Sequence, residues 1–251
     1  MKKIGILIVF FSLMTAGQAL AKDIKFDEGL TQAAFKDLSK EAVAVFSYKN
    51  LAPAAPLGIT GFDAGLESSF VPISTGNNNY WEKAFAHNAP SMLPAPKLRI
   101  RKGLPMGINI GAMYSSVPGS NIKLYGGEVS YAILEGGVAT PALGVRGTFT
   151  KLTGVDDLDF STTGIDVSIS KGFVIVTPYA GTGMVYFNSK AKGNLQSLST
   201  ALTGSPLSDE KKWQPRCFAG LKISPVPLFG ITAEVEYLNR PVYSLKVALS
   251  F

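Results

Sequence analysis

The sequence predicts an all-β fold: a closed antiparallel up-and-down transmembrane β-barrel of about ten strands, with eight or twelve as alternatives, preceded by an N-terminal helix. Only 17% of the 251 residues are charged, below the roughly 25% of soluble domains, and the mean hydropathy is +0.21. After the first 21 residues, no apolar run approaches the roughly 20 residues that a membrane-spanning helix needs. From residue 57 to residue 251, apolar and polar side chains alternate with a period of two, which is typical of strands with two different faces.

Residues 1–21 have the features of a cleavable signal peptide. Two lysines precede the apolar stretch 4–14, and Ala19-Leu20-Ala21 provides a small-x-small cleavage site. We therefore predict export from the cytoplasm, with an uncleaved inner-membrane anchor as the alternative. The single cysteine, Cys217, cannot form a disulfide within the chain.

Residues 22–56 are predicted to form a helix followed by a linker rich in proline and alanine. Over residues 24–50 the apolar side chains recur every three to four positions, as one face of a helix requires. These side chains are Leu30, Ala34, Leu38, Ala42, Val45 and Phe46. The segment Leu51-Ala-Pro-Ala-Ala-Pro-Leu57 ends the helix, because proline cannot continue one. We expect this region either to lie on the periplasmic side of the barrel or to plug its lumen.

Residues 57–251 are predicted to form the barrel. The ten alternating segments lie near 58–71, 93–103, 105–116, 121–135, 139–152, 159–171, 174–188, 213–223, 228–239 and 241–251. If the strands run alternately up and down, the two long connections, 72–92 and 189–212, fall at the same end of the barrel. Membrane barrels have longer outside loops and short periplasmic turns. This parity predicts that both ends of the mature chain lie at the periplasmic, short-turn end.

Each predicted strand has one apolar and one polar face. Closure of the sheet pairs every backbone N–H and C=O group, which is required in hydrocarbon. The side chains predicted to face lipid are Phe62, Leu66, Leu98, Ile100, Leu143, Val145, Ile165, Val167, Ile231, Val235, Leu245 and Val247. The side chains predicted to line the lumen are Asp63, Glu67, Lys97, Arg99, Arg101, Glu128, Arg146, Asp166, Arg216, Lys222, Glu234, Glu236 and Lys246. Acids and bases alternate between neighbouring strands, which is the favourable cross-strand arrangement.

Aromatic residues cluster near the predicted strand ends, where they would mark the two membrane interfaces. Those near the outer ends are Tyr80, Trp81, Tyr114, Tyr186, Phe187, Trp213 and Tyr237. Those near the inner ends are Phe173, Phe229 and Phe251.

The last strand carries a resemblance to a known class of protein. Its alternating residues Tyr243, Leu245, Val247, Leu249 and Phe251 are similar to the signal read by the barrel-insertion machinery, so the chain resembles Gram-negative outer-membrane β-barrel proteins. Further segments resemble an uncharacterised family of proteobacterial outer-membrane proteins, namely Leu51–Asp63, Val117–Ile122, Ala139–Phe149 and Thr177–Gly181. The resemblance implies location in the bacterial outer membrane, contact with its lipid and lipopolysaccharide, and recognition by the insertion machinery.

The predicted function is that of a structural or narrow pore-forming barrel for small solutes. If water fills the lumen, Lys97, Arg99 and Arg101 form a wall that attracts anions; if ion pairs fill it, the pore is closed. The alternative is a ligand-binding barrel that transports hydrophobic ligands or lipids, or that mediates adhesion through the outside loops 72–92 and 189–212.

Catalysis, cofactor binding and metal binding are not predicted. An outer-membrane hydrolase is the less favoured alternative, since it would need a nucleophile held by the only histidine, His87, in the first long loop. Asp156, Asp157 and Asp159 are interpreted as a turn or a weak cation site. One cysteine and one histidine cannot form a zinc cluster. The basic residues are dispersed along the strands, so nucleic acid is not a predicted partner.

Overall fold

The computed structural model describes residues 23–73, 80–85, 89, 91–116 and 120–251. Ten antiparallel strands close into a barrel in which each strand pairs with its neighbours in the chain and the first strand pairs with the last. The strands are β1 (Phe62–Pro72), β2 (Met92–Gly103), β3 (Ile108–Ser116), β4 (Lys123–Leu134), β5 (Ala142–Thr153), β6 (Leu158–Ser170), β7 (Val176–Ala191), β8 (Glu210–Val226), β9 (Phe229–Tyr237) and β10 (Pro241–Ser250). The predicted fold and the predicted number of strands are both confirmed.

The two faces of the sheet are inverted relative to a soluble protein. In the paired strands β5 and β6, Arg146 and Asp166 are 5% and 2% exposed, whereas Ile165 and Val167 are 57% and 45% exposed. Successive side chains of a strand point to opposite faces, so the charged face of the sheet encloses the lumen and the aliphatic face lies outside.

Eleven of the twelve side chains predicted to face lipid are partly or fully exposed. Val247 is the exception, at 3% exposure. It is flanked on the same face by Leu66 of β1 and Ile231 of β9.

The two ends of the barrel differ in their connections. At one end, the short-turn end, the connections are 104–107, 135–141, 171–175 and 227–228. The opposite end, the long-loop end, carries the connections between β1 and β2 and between β7 and β8. These contain the helices α2 (Tyr80–Ala84) and α3 (Gly193–Thr203). The predicted division into long and short connections is confirmed.

The N-terminal helix α1 spans Gln32–Phe46, so the prediction of a helix over residues 24–50 is too long at both ends. Thr31 caps the helix, and its hydroxyl accepts a hydrogen bond from the N–H of Ala34 at 3.3 Å. The helix ends at Ser47, whose backbone is extended, and the carbonyls of the next three residues accept hydrogen bonds from arginines of the barrel wall instead of continuing the helix.

The chain enters the barrel from the long-loop end. The N–H of Ile24 donates to Asn121 Oδ1 at 3.0 Å, and the N–H of Phe26 donates to Asp157 Oδ2 at 3.1 Å. Both acceptors lie in connections of that end. Since β1 starts at the short-turn end, residues 24–57, which we call the luminal segment, pass through the barrel.

The prediction that both ends of the mature chain lie at the short-turn end is therefore wrong for the N-terminal residues that the structure describes. The last residue, Phe251, does lie there, and its N–H and C=O groups bond to Phe62. The prediction counts only the crossings that the strands make. The luminal segment crosses the barrel once more, through the lumen, so the N-terminal side of this segment lies at the opposite end.

The grouping of aromatic residues at the outer strand ends is only partly a surface feature. Tyr114, Trp213 and Tyr237 are exposed, but Trp81 and Phe187 are buried at 2% and 1%. The buried rings pack within the hydrophobic core that surrounds the luminal segment.

None of the helices in the described part of the chain is both long and apolar enough to span a membrane.

Candidate functional site: the barrel lumen

The thirteen side chains predicted to line the lumen lie on the polar, inward-facing positions of their strands. Twelve of them are at most 5% exposed, and Lys222 is half-buried. The register brings opposite charges together on this face: Asp63 lies opposite Arg101, and Glu67 lies between Lys97 and Lys246. Cross-strand pairs of this kind stabilise a sheet.

Glu128 is the centre of one half of this network. Its Oε2 atom is 2.6 Å from Arg99 Nη2 and 3.5 Å from Arg146 Nη1, and its Oε1 atom is 2.5 Å from Arg101 Nε. Three guanidinium groups thus share one buried carboxylate. Opposite Glu128 in β3 stands Gly111, where a Cβ atom would lie 2.8 Å from Glu128 Oε1; the absent side chain leaves room for the carboxylate.

Asp166 is the centre of the other half. It accepts hydrogen bonds from Arg146 Nη2 at 2.7 Å and from Arg216 Nε at 2.6 Å. Arg216 also reaches Glu236, with 3.5 Å between Nη1 and Oε2. Because Arg146 contacts both Asp166 and Glu128, the two halves form one continuous network across β2, β4, β5, β6, β8 and β9.

Residues 48–51 of the luminal segment cross this network. The carbonyl oxygens of Lys49 and Asn50 each accept hydrogen bonds from Nη1 of Arg99, at 3.2 and 2.8 Å, and from Nη1 of Arg146, at 3.1 and 3.2 Å. On the opposite wall, Lys49 Nζ lies 2.6 Å from Glu236 Oε1.

The backbone of the same residues is held from further strands. The N–H of Leu51 donates to Glu234 Oε2 at 2.8 Å, and the carbonyl of Tyr48 accepts from Arg216 Nη1 at 2.8 Å. The four residues are therefore bonded to β2, β5, β8 and β9, which lie around the whole circumference of the barrel.

Tyr48 adds an aromatic contact to the two central arginines. The guanidinium carbon of Arg99 lies 4.6 Å from the ring centroid, and that of Arg146 lies 5.9 Å from it. A tyrosine phenol is ordinarily neutral near pH 7, and its ring presents the negative face to the two cations.

The half of the lumen towards the long-loop end is filled by α1. Its side chains Phe35, Leu38 and Phe46 are buried, and the Phe46 ring packs against Phe160 with 5.7 Å between centroids. Glu41 fixes the helix at this end, since it accepts hydrogen bonds from Tyr80 Oη at 2.5 Å and Trp81 Nε1 at 2.7 Å and also contacts Arg240.

Sequence reasoning missed the polar contacts of the luminal segment. The predicted helix over residues 24–50 leaves Glu41 off its apolar face and contains Lys49 and Asn50 at its end. The available signal is charge placement, because Glu41 and Lys49 stand in an otherwise apolar stretch. Lys49 pairs with Glu236 of the barrel wall, and Glu41 pairs with Arg240 of the connection between β9 and β10.

The lumen widens at the short-turn end into a cavity of about 330 Å³. Linker residues between Ala52 and Leu57 form its inner wall. Its charges come from Asp63, Arg101, Glu135, Lys222 and Lys246. Lys246 Nζ lies 3.0 Å from Asp63 Oδ1, so this pair is neutralised within the cavity.

Two of the acidic residues considered for catalysis or cation binding, Asp157 and Asp159, have partners within the described part of the chain. His87 lies outside the described residues. Asp157 accepts from the N–H groups of Phe26 and Asn194, and Asp159 pairs with Lys151 and Lys192. Within the described residues, no group of three or more histidine, cysteine or acidic side chains is arranged to bind a metal ion.

Neither a protein-family model nor a curated protein sequence matches this chain. Solved structures of similar shape include Ail of Yersinia pestis, with 14% identity over 76% of this chain and 97% of that chain and a TM-score of 0.32. The N-terminal β-barrel domain of OprF from Pseudomonas aeruginosa matches with 14% identity over 77% of this chain and 99% of that chain, at a TM-score of 0.35. The outer membrane protein OprG from Pseudomonas aeruginosa matches with 10% identity over 80% of this chain and 99% of that chain, at a TM-score of 0.38. Because these identities and TM-scores are low, the function proposed below rests on the geometry of this chain.

Proposed function

We propose that this protein is a bacterial outer-membrane β-barrel whose lumen is closed by its own luminal segment, so that small solutes pass only when the segment moves. The observation that carries the proposal is the position of residues 48–51, which are bonded to strands around the whole barrel wall. The function is structural or that of a narrow, gated pore, and no catalytic step is proposed.

The membrane location is supported by the outer surface. A monomeric soluble protein rarely exposes an apolar patch larger than a few hundred Å², yet aliphatic and aromatic side chains are exposed on strand after strand of this barrel. Examples are Leu98, Ile110, Val129, Ile165 and Val235, each between 43% and 57% exposed. In hydrocarbon this surface would contact lipid chains, and closure of the sheet gives every strand two neighbouring strands with which to pair its backbone.

Placing a charge on this face should strongly destabilise the protein. Ile165 lies near the middle of β6 and is 57% exposed. We expect Ile165→Arg to reduce the free energy of unfolding by about 2–4 kcal/mol, the cost of an arginine at the bilayer midplane. Urea titration of protein folded into lipid vesicles measures this change. The control is Val138→Arg, because Val138 is fully exposed in the 135–141 turn. If both substitutions have an equally small effect, Ile165 does not contact lipid.

The protein groups that fill the lumen support the proposal that the pore is closed. The apolar side chains of α1 occupy the long-loop half, and the arginine–carboxylate network with the backbone of residues 48–51 occupies the middle. Small barrels have interiors just wide enough for side chains to fill. An ion would therefore have to displace the luminal segment in order to pass.

Both outside loops contact the luminal segment, and in the 72–92 loop Tyr80 and Trp81 donate hydrogen bonds to Glu41. In the 189–212 loop, Ser199 Oγ of α3 accepts a hydrogen bond from the N–H of Leu30 at 2.9 Å, and Gln196 Nε2 bonds to the carbonyl of Leu207 at 3.2 Å. This loop thus holds the start of the luminal segment. The contact favours a role in closing the barrel over the alternative role in adhesion.

A disulfide between helix and wall tests the gate directly. Ser39 Oγ of α1 and Ser189 Oγ of β7 are 2.8 Å apart and buried, which is compatible with a Cys–Cys bridge. We expect the Ser39→Cys, Ser189→Cys pair, in a Cys217→Ser background, to suppress all channel openings in planar bilayers when oxidised. Reduction should restore the behaviour of the Cys217→Ser parent. Steady conductance that is unchanged by oxidation would show that ions do not need movement of α1.

A further inference from the structure

The barrel wall is interrupted next to the long-loop end of β8. β8 runs from Glu210 to Val226, but β9 ends at Tyr237, whose partner in β8 is Cys217. Residues 210–216 pair with β7 on one side and have no partner in β9 on the other. Pro215 lies in this stretch and has no N–H to donate. We call this interruption the lateral notch.

A cavity of about 570 Å³ occupies the lateral notch. Its lining includes side chains from both faces of β8, with the buried Gln214 and Arg216 on the inward face and the exposed Trp213 and Cys217 on the outward face. Lys40 of α1 also lines it, from inside the barrel. The cavity therefore extends past the free edge of the strand, from the luminal helix to the outer surface.

The chemistry of the lining combines cations with exposed aromatic rings. Trp213 and Tyr237 are 49% and 57% exposed, and Trp213 packs against Tyr186 on the outer surface with 5.3 Å between ring centroids. Lys212 is exposed and has no ion-pair partner among the described residues, while Lys40 lies 2.7 Å from Asp37. Tryptophan and tyrosine prefer the headgroup level of a bilayer, and lysine attracts anionic headgroups there.

We propose that the lateral notch binds the headgroup of an anionic membrane phospholipid, one whose phosphate charge is not balanced by a cationic group. Lys212 and Lys40 contact the phosphate, and Trp213 and Tyr237 pack against the adjoining part of the lipid. This inference rests on the proposed membrane location, because it requires the outer surface at Tyr186 and Trp213 to lie at a bilayer interface.

A second copy of the chain is the less suitable occupant. The free edge of β8 could accept another strand, but edges that carry lysines and proline resist such pairing. Lys211, Lys212 and Pro215 provide both features within residues 210–216. A lipid needs no strand pairing and fits the charge of the cavity.

Quenching of tryptophan fluorescence by brominated lipids tests the proposal. The full barrel is folded into phosphatidylcholine vesicles that contain a minor fraction of either brominated phosphatidylglycerol or brominated phosphatidylcholine. Trp213 is the exposed reporter, whereas the only other tryptophan, Trp81, is 2% exposed. We expect the anionic lipid to be enriched at Trp213 by about fivefold, given the attraction of one basic residue near an anionic surface.

A matched pair of variants locates the effect. Lys212→Ala should abolish the enrichment. Lys211→Ala should retain it, because Lys211 is already paired with Asp209. The proposal is overturned if the two lipids quench the parent protein equally, or if the enrichment survives Lys212→Ala. It is also overturned if soluble glycerol phosphate displaces the lipid. If neither lipid quenches Trp213 at all, the membrane location itself fails, which is a distinguishable result.

Discussion

Deletion of residues 24–57 is expected to convert the closed barrel into an open pore. The deletion leaves every strand pair of the sheet intact, so the wall can still close. It removes α1 from the long-loop half of the lumen and removes the backbone groups that bridge Arg99, Arg146 and Glu234. Water would then enter and hydrate the charges that the luminal segment had covered.

Single-channel recording in planar bilayers measures the outcome. The parent protein should show no steady current, and the deletion variant should show discrete open steps. Heat-modifiable migration on gels is the control that the variant still forms a barrel. A variant that folds by this criterion and stays closed would show that the wall side chains alone fill the lumen.

Replacement of Glu128 by alanine should destabilise the protein more than any other single loss of charge in the network. Among the residues that the structure describes, Glu128 is the only carboxylate within 4 Å of all three of Arg99, Arg101 and Arg146. Its removal leaves the buried Arg101 without an ion pair among the described residues, whereas Arg99 keeps Glu67 at 3.4 Å and Arg146 keeps Asp166 at 2.7 Å. Breaking a buried ion pair by removing one partner costs about 3–5 kcal/mol, and we expect a loss of at least this size in the free energy of unfolding.

Urea titration of the protein in lipid vesicles provides the measurement. Glu135→Ala is the matched control, because Glu135 follows the same strand, β4, but is exposed in the adjoining turn. The control should change the free energy of unfolding by no more than about 0.5 kcal/mol, as surface substitutions usually do. Equal effects of the two substitutions would mean that water already reaches the Glu128 carboxylate.

Local pattern was sufficient to predict the sheet and its faces. The alternation in β6, with Ile165 and Val167 on one side and Asp166 on the other, is a property of adjacent residues and needs no knowledge of the fold. The charge ladder followed once the strands were taken in order, and the observed register places Arg146 opposite Asp166.

The lumen was harder to predict, since its filling comes from outside the alternating pattern. The apolar face of α1 was recognised, but nothing local distinguishes a helix inside a barrel from one beside it. The predicted helix over residues 24–50 includes Lys49 and Asn50, whereas their carbonyls bond to Arg99 and Arg146. Those partners are almost 50 or 100 positions away along the chain.

By itself the sequence determined that ten strands form, which side of each strand is apolar, and which connections are long. These features depend on the period of two and on turn residues, and both act over a few positions. Only the tertiary structure decided that the chain enters at the long-loop end, crosses the lumen and leaves a lateral notch beside β8. Each of these depends on a hydrogen bond or a missing strand partner between segments remote in the chain, and side-chain periodicity contains no information about such distances.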